Sequence, residues 1–152
     1  MPRFIDAMKF RWKIRIMPMA SILVVEDDFL IRELSEITIQ DWGYRTFSAG
    51  DADEALSILR SSVEIDVIFT DIYLKNGVLD GCELALQAIQ IRPNLKVLYT
   101  TGNTLTAKLK SLFIEGAPCL VKPYTPGQLE VALERLLNPQ FRGNGRGKKP
   151  VS

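Results

Sequence analysis

A chain of 152 residues, 47% hydrophobic and 24% charged, is long enough for one globular core and too short to add a conventional effector domain behind it. Histidine is absent, which excludes Ser-His-Asp and Cys-His catalysis, imidazole metal ligation and any phosphohistidine-donor role; the two cysteines, Cys82 and Cys119, make no Cys-x-x-Cys pair for zinc or a disulfide framework and are expected as reduced, largely buried thiols. The net charge of +1 hides two basic ends, since residues 1–20 and 142–152 hold nine of the 19 bases and one acid, leaving residues 21–141 at −7.

Ser21 to Val25 is a short apolar, β-branched run that stops at Glu26, Asp27 and Asp28, as a buried parallel strand ends. From Phe29, Leu30, Ile31, Leu34 and Ile37 recur at helical spacing until Trp42 and Gly43, where glycine ends a helix. Tyr44 to Ser48 reads as a second strand, and Asp51 opens a helix through Ala55, Leu56 and Leu59. Asp66 to Thr70 is a strand that delivers Asp71 at its C-terminal end, and a loop from Ile72 leads to Asp80 and Gly81, a turn and helix start. That helix runs to about Ile91 before Pro93 and Asn94 break it ahead of the strand Lys96 to Thr100. Thr104 to Glu115 is expected to be helical, Cys119 to Val121 a short strand and Thr125 to Leu137 the last helix.

Five successive βα units require a parallel sheet with right-handed crossovers and helices on both faces, a doubly wound α/β fold. Ligands of such sheets bind beyond the carboxyl ends of the strands, where Glu26, Asp27, Asp71 and Thr101 all fall. Carboxylates gathered there repel one another unless a cation is close, and an all-oxygen set without histidine points to a hard ion such as Mg²⁺, which is usually shared with phosphate oxygens. Asp71 can then attack phosphorus to give an acyl phosphate, with Lys122 supplying positive charge and Thr101 a hydroxyl for a phosphoryl oxygen. Asp28 reads as a helix start on dipole grounds.

The stretches ILVVEDD, VIFTDIYL with a following DG, VLYTTG and LVKPY resemble, in order and spacing, the four signatures of response-regulator receiver domains of the CheY-like superfamily. The resemblance covers about residues 19–138 and implies a (βα)5 flavodoxin-like fold with strand order 2-1-3-4-5. It implies Mg²⁺ held by Glu26, Asp27, Asp71 and the backbone carbonyl of Tyr73, phosphorylation on Asp71, phosphoryl contacts from Thr101 and Lys122, and a cis bond between Lys122 and Pro123. If the register slips by one residue, Thr100 takes the role of Thr101. Tyr73 and Asn103 stand where the family tunes acyl-phosphate lifetime, and the Tyr73 ring is expected to slow hydrolysis. Two departures stand out. Lys75 replaces a usual proline in a loop about two residues longer than usual, and Cys119 occupies the switch position normally held by Tyr or Phe, whose ring turns inward on phosphorylation.

The function implied is that of a stand-alone response regulator of a two-component phosphorelay. It is not an enzyme beyond its own phosphorylation and dephosphorylation. A sensor histidine kinase or histidine phosphotransfer protein donates the phosphoryl group, and an unknown downstream protein binds the Thr104–Leu137 face. A homodimer is left open. No specific nucleic acid is expected; no apolar run nears the roughly 18 residues that a bilayer requires, and no secretory signal opens the chain, so a cytoplasmic protein without a membrane span is expected. Competing readings are a receiver-fold binding module independent of phosphate, a phosphate sink, and a haloacid-dehalogenase-type phosphatase, the last needing a second Asp where Tyr73 stands. Residues 1–18, in which Lys9 to Ile16 alternate basic and apolar, are expected to be a poorly ordered extension, and residues 139–152 a disordered basic tail.

Overall fold

The computed structural model describes residues 19–75 and 80–139. The expectations for residues 1–18, for nearly all of the tail, and for the loop between Lys75 and Asp80 lie outside the described residues. Strands β1 (Ser21–Val25), β2 (Arg45–Ala49), β3 (Val67–Asp71), β4 (Lys96–Thr101) and β5 (Cys119–Val121) alternate with helices α1 (Phe29–Asp41), α2 (Ala52–Arg60), α3 (Gly81–Ile91), α4 (Ala107–Lys110) and α5 (Pro126–Leu137). All pairings are parallel, in the order β2-β1-β3-β4-β5, which is the expected flavodoxin-like arrangement.

Every residue of β1 and β3 is buried, because both strands lie inside the sheet with helices over each face. Side-chain alternation divides the core in two. Leu23, Val25, Ile68, Val97 and Tyr99 face α2 and α3 with Leu56, Leu59, Leu84 and Ala85. Ile22, Val24, Val67, Phe69 and Leu98 face α1 and α5 with Ile39, Leu129, Leu133 and Leu136. Side-chain caps fix where the helices begin: Asp28, Asp51, Asp80, Thr106 and Thr125 each accept a hydrogen bond from the backbone N–H three residues on, and Asp80 with Glu83 and Thr125 with Gln128 complete capping boxes. The chain leaves α1 through Gly43 at φ +93°, a conformation open to glycine.

One expectation needs correction. The helix foreseen over Thr104–Glu115 is confined to Ala107–Lys110. Beyond it Leu112 and Phe113 donate to carbonyls only three residues back, and Phe113 turns inward to stack on Tyr99, with ring centroids 4.4 Å apart and planes 26° from parallel. The N–H of Ile114 then donates to the Tyr99 hydroxyl at 3.1 Å. Tertiary packing against a buried aromatic outweighs the modest gain from another helical turn. In α1, the apolar spacing that marks the helix lies largely on its outer face: Leu30 is 74% and Leu34 67% exposed, while the buried positions are Ser35 and Ile39.

Candidate functional site

Because β3 lies between β1 and β4, the residues ending these three strands meet at one edge of the sheet. Glu26 and Asp27 follow β1, Asp71 closes β3, Thr101 closes β4 and Lys122 follows β5. Carboxylate oxygens of Glu26, Asp27 and Asp71 lie within 4.8 Å of one another. Glu26 and Asp71 are buried, at 5% and 8% exposure, so their charges are poorly screened by water.

Asp71 is held from two sides. The Tyr73 N–H donates to its Oδ1 at 3.1 Å, and the Lys122 ammonium to its Oδ2 at 2.8 Å. The same ammonium reaches Glu26 Oε2 at 3.5 Å, crossing from β5 over the end of β4. The Asp28 N–H donates to the other Glu26 oxygen, and the Lys75 N–H to Asp27 Oδ2 at 3.2 Å, which ties the loop after β3 to the acidic pair. Arg32 donates to the Glu26 carbonyl at 2.6 Å and fixes the turn into α1.

Burial pushes the Glu26 carboxyl up to about 7; the Lys122 charge opposes the rise and the Asp71 charge adds to it. Burial alone would lower the Lys122 ammonium, but its hydrogen bond to Asp71 and the charges of Asp71 and Glu26 win, and its pKa is raised. One lysine thus leaves a three-carboxylate cluster incompletely balanced. An all-oxygen donor set with a carboxyl driven up by burial fits a hard divalent cation.

Thr101 is wholly buried and its Oγ1 accepts from the Asn103 N–H at 3.1 Å, so the candidate hydroxyl lies at the same edge as the carboxylates. The Lys122–Pro123 bond is cis. Cys119 is half-buried beside Tyr99, its cross-strand partner; burial pushes its thiol and that of Cys82 each up to about 11, so both are protonated at neutral pH. Tyr73 is half exposed at the mouth of the site.

Two further residues shape this region. Tyr99 is fully buried beside Cys119; an aromatic two residues before Thr101 was the visible signal. Gly81 lies against the end of β3 so closely that a Cβ there would stand 2.1 Å from the Asp71 carbonyl oxygen. The Asp-Gly pair was legible as a turn, but not as this contact.

The chain belongs to the response-regulator receiver-domain family of two-component systems: residues 22–134 match the family model described as "Response regulator receiver domain". Members of this family are signalling domains, not enzymes in the usual sense. Among curated proteins it is similar to the aerobic respiration control protein ArcA of Escherichia coli (strain K12), 32% identical over 120 residues that make up 77% of this chain and 48% of that protein. It is also similar to the uncharacterized transcriptional regulatory protein YbdJ of Bacillus subtilis (strain 168), 27% identical over 121 residues, 79% of this chain and 52% of that protein. The chain therefore spans about half the length of these relatives. Among solved structures, a response regulator receiver protein from Sinorhizobium medicae WSM419 aligns with a TM-score of 0.72 at 28% identity, covering 79% of this chain and 95% of that one. The chemotaxis protein CheY4 of Vibrio cholerae aligns with a TM-score of 0.68 at 30% identity, covering 78% and 98%. Among the described residues no helix is long and apolar enough to cross a membrane.

Proposed function

We propose that this chain receives a phosphoryl group on Asp71 from a histidine kinase or histidine phosphotransfer protein in the cytoplasm and passes the signal on through protein–protein contacts. One observation carries the reading: a buried Asp at a strand end, with Lys122 2.8 Å from one oxygen, the Tyr73 N–H on the other, and two further carboxylates at hand. An Asp71 oxygen forms the new P–O bond while the donor's P–N bond breaks, its electron pair leaving with the imidazole. Mg²⁺, held by Glu26, Asp27, Asp71 and the Tyr73 carbonyl, would neutralise the negative charge of the transferring group. Lys122 follows the charge from the carboxylate to the phosphoryl oxygens, and the Thr101 hydroxyl binds one of them once it turns from Asn103.

The donor needs a surface beside Asp71, and α1 supplies one. Leu30, Leu34 and Ile37 stand exposed, and Ile31 and Leu34 flank a groove of about 430 Å³ completed by Pro123, Tyr124 and Leu129, with Lys122 on its wall. An apolar groove at the mouth of the site suits a helical, histidine-bearing partner. The output surface in this reading is the Thr104–Leu137 face. Cys119, in place of the family's aromatic, favours one second reading, a receiver-fold module whose partner binding ignores phosphate.

The test is intact mass after incubation with Mg²⁺ and acetyl phosphate, for wild type and Asp71→Asn. A single phosphoryl adduct that requires Mg²⁺ and disappears in the variant supports the receiver reading. No adduct on either protein supports the phosphate-independent module, and an adduct that changes no partner's binding would point to a phosphate sink.

A further inference from the structure

Thr100 has no part in the reading above, yet its Oγ1 is buried without a hydrogen-bond partner, the single such side-chain atom among the described residues. The residue is only 3% exposed. An orphaned buried hydroxyl costs stability, so one that is kept calls for a reason, a functional role among them.

Its neighbours follow from register and alternation. Thr100 pairs with Asp71 on β3 and with Leu120 on β5. On β4, Leu98 packs with Leu129 and Leu133 while Tyr99 packs on the opposite face, so Thr100 projects on the Leu98 side. The same alternation sends Asp71 to the side of Phe69, and Lys122 to the side of Leu120, which is again the α1 and α5 face. Lys122 reaches Asp71 across the end of β4, so Thr100, the cross-strand partner of Asp71, lies on the same side of the sheet as that ion pair. In the free protein the Tyr73 N–H and the Lys122 ammonium donate to the two Asp71 oxygens, and the Thr100 hydroxyl donates to neither.

Phosphorylation changes that inventory. One Asp71 oxygen enters the new P–O bond as the donor's P–N bond breaks, and the other becomes a neutral acyl carbonyl oxygen, while Lys122 moves with the charge. We propose that the Thr100 hydroxyl then donates to that carbonyl oxygen and holds the phosphorylated side chain in place, distinct from Thr101, which faces the other side of the sheet. The inference rests on the reading of Asp71 as the phosphoacceptor.

The experiment is titration of the full chain with beryllium fluoride, which mimics a phosphoryl group on a carboxylate, in the presence of Mg²⁺. Thr100→Val removes the hydroxyl at constant shape, and Thr100→Ser keeps it. The inference expects binding roughly fivefold weaker for Thr100→Val, the worth of one neutral hydrogen bond. Thr100→Ser should bind within about twofold of wild type on the same scale, and Mg²⁺ binding alone and thermal stability should not fall for Thr100→Val. Equal binding by wild type and Thr100→Val overturns it, as does an equal loss in both variants, which would mean packing. If wild type itself binds no more beryllium fluoride than Asp71→Asn, the phosphoacceptor reading fails and takes this inference with it.

Discussion

Replacing Gly81 by alanine sets two physical effects against each other at the first residue of α3. Helix propensity favours alanine over glycine by up to about 1 kcal/mol. Against this, the new Cβ would lie 2.1 Å from the Asp71 carbonyl oxygen and 2.9 Å from both the Asp71 carbonyl carbon and the Ile72 Cα. All three are backbone atoms, so no side-chain rotation relieves the contact. Separating them also stretches the 2.7 Å hydrogen bond from the Gly81 N–H to the Ile72 carbonyl. Overpacking of this kind costs about 1–3 kcal/mol, with about 1 kcal/mol more for the hydrogen bond, and after the propensity gain the net loss is roughly 1–3 kcal/mol. For a chain of this size that lowers Tm by roughly 2–12 °C, read from thermal unfolding by circular dichroism. Gly127→Ala is the control, because a Cβ there meets only Thr125 Oγ1 at 3.9 Å and the propensity gain is unopposed. Since the clash bears on Asp71, one of the three clustered carboxylates, Gly81→Ala should also weaken Mg²⁺-dependent stabilisation. A Gly81→Ala protein that melts at or above wild type would refute the reasoning.

The Glu26 carboxyl, pushed up to about 7 by burial, gives a pH dependence whose sign is fixed. Its contribution to stability is fully present below the ordinary glutamate range and is lost as pH rises through about 7, so the metal-free protein should weaken across that window. Added Mg²⁺ should then raise Tm more at pH 8 than at pH 5.5, and Glu26→Gln should flatten the metal-free profile; an unchanged profile in the variant would remove Glu26 as the cause. Leu34→Asp on α1 should leave acetyl-phosphate labelling of Asp71 intact while slowing transfer from a phosphohistidine protein by roughly tenfold or more, as loss of a buried apolar anchor does. Equal transfer rates would move the docking site elsewhere. Tyr99→Phe deletes the acceptor for the Ile114 N–H and should cost about 1 kcal/mol in urea unfolding, with faster amide exchange at Ile114 as the local signature.

The sequence carried the sheet and the acidic edge plainly, because both are written in short range. A fully buried parallel strand must be an unbroken apolar run, and a carboxylate at its end breaks that run, so β1 with Glu26 and β3 with Asp71 could be read from residue order. The extent of α4 could not, since it depends on where Phe113 and Ile114 find Tyr99, a partner from another element. For α1 the period was readable and the direction was not: a stripe of Leu30, Leu34 and Ile37 fits a core-facing helix equally well, and only packing shows Ser35 and Ile39 inside. For Gly81 and Thr100 the sequence marked a helix start and an alternative to Thr101, but not the contact with the backbone of β3 or the hydroxyl left without a partner, which again depend on other elements.

The five-stranded sheet also acts as a partition. Glu26, Asp71, Thr100 and Lys122 belong to the compartment roofed by α1 and α5, whereas Tyr99, Thr101 and Cys119 belong to the one roofed by α2, α3 and the short α4. No side chain passes through a hydrogen-bonded sheet, so an event on Asp71 reaches the second compartment only over the rim, where Thr101 ends β4 and the chain turns at Gly102. The stiffness of that rim sets how much of a chemical change on one side of the sheet is felt on the other.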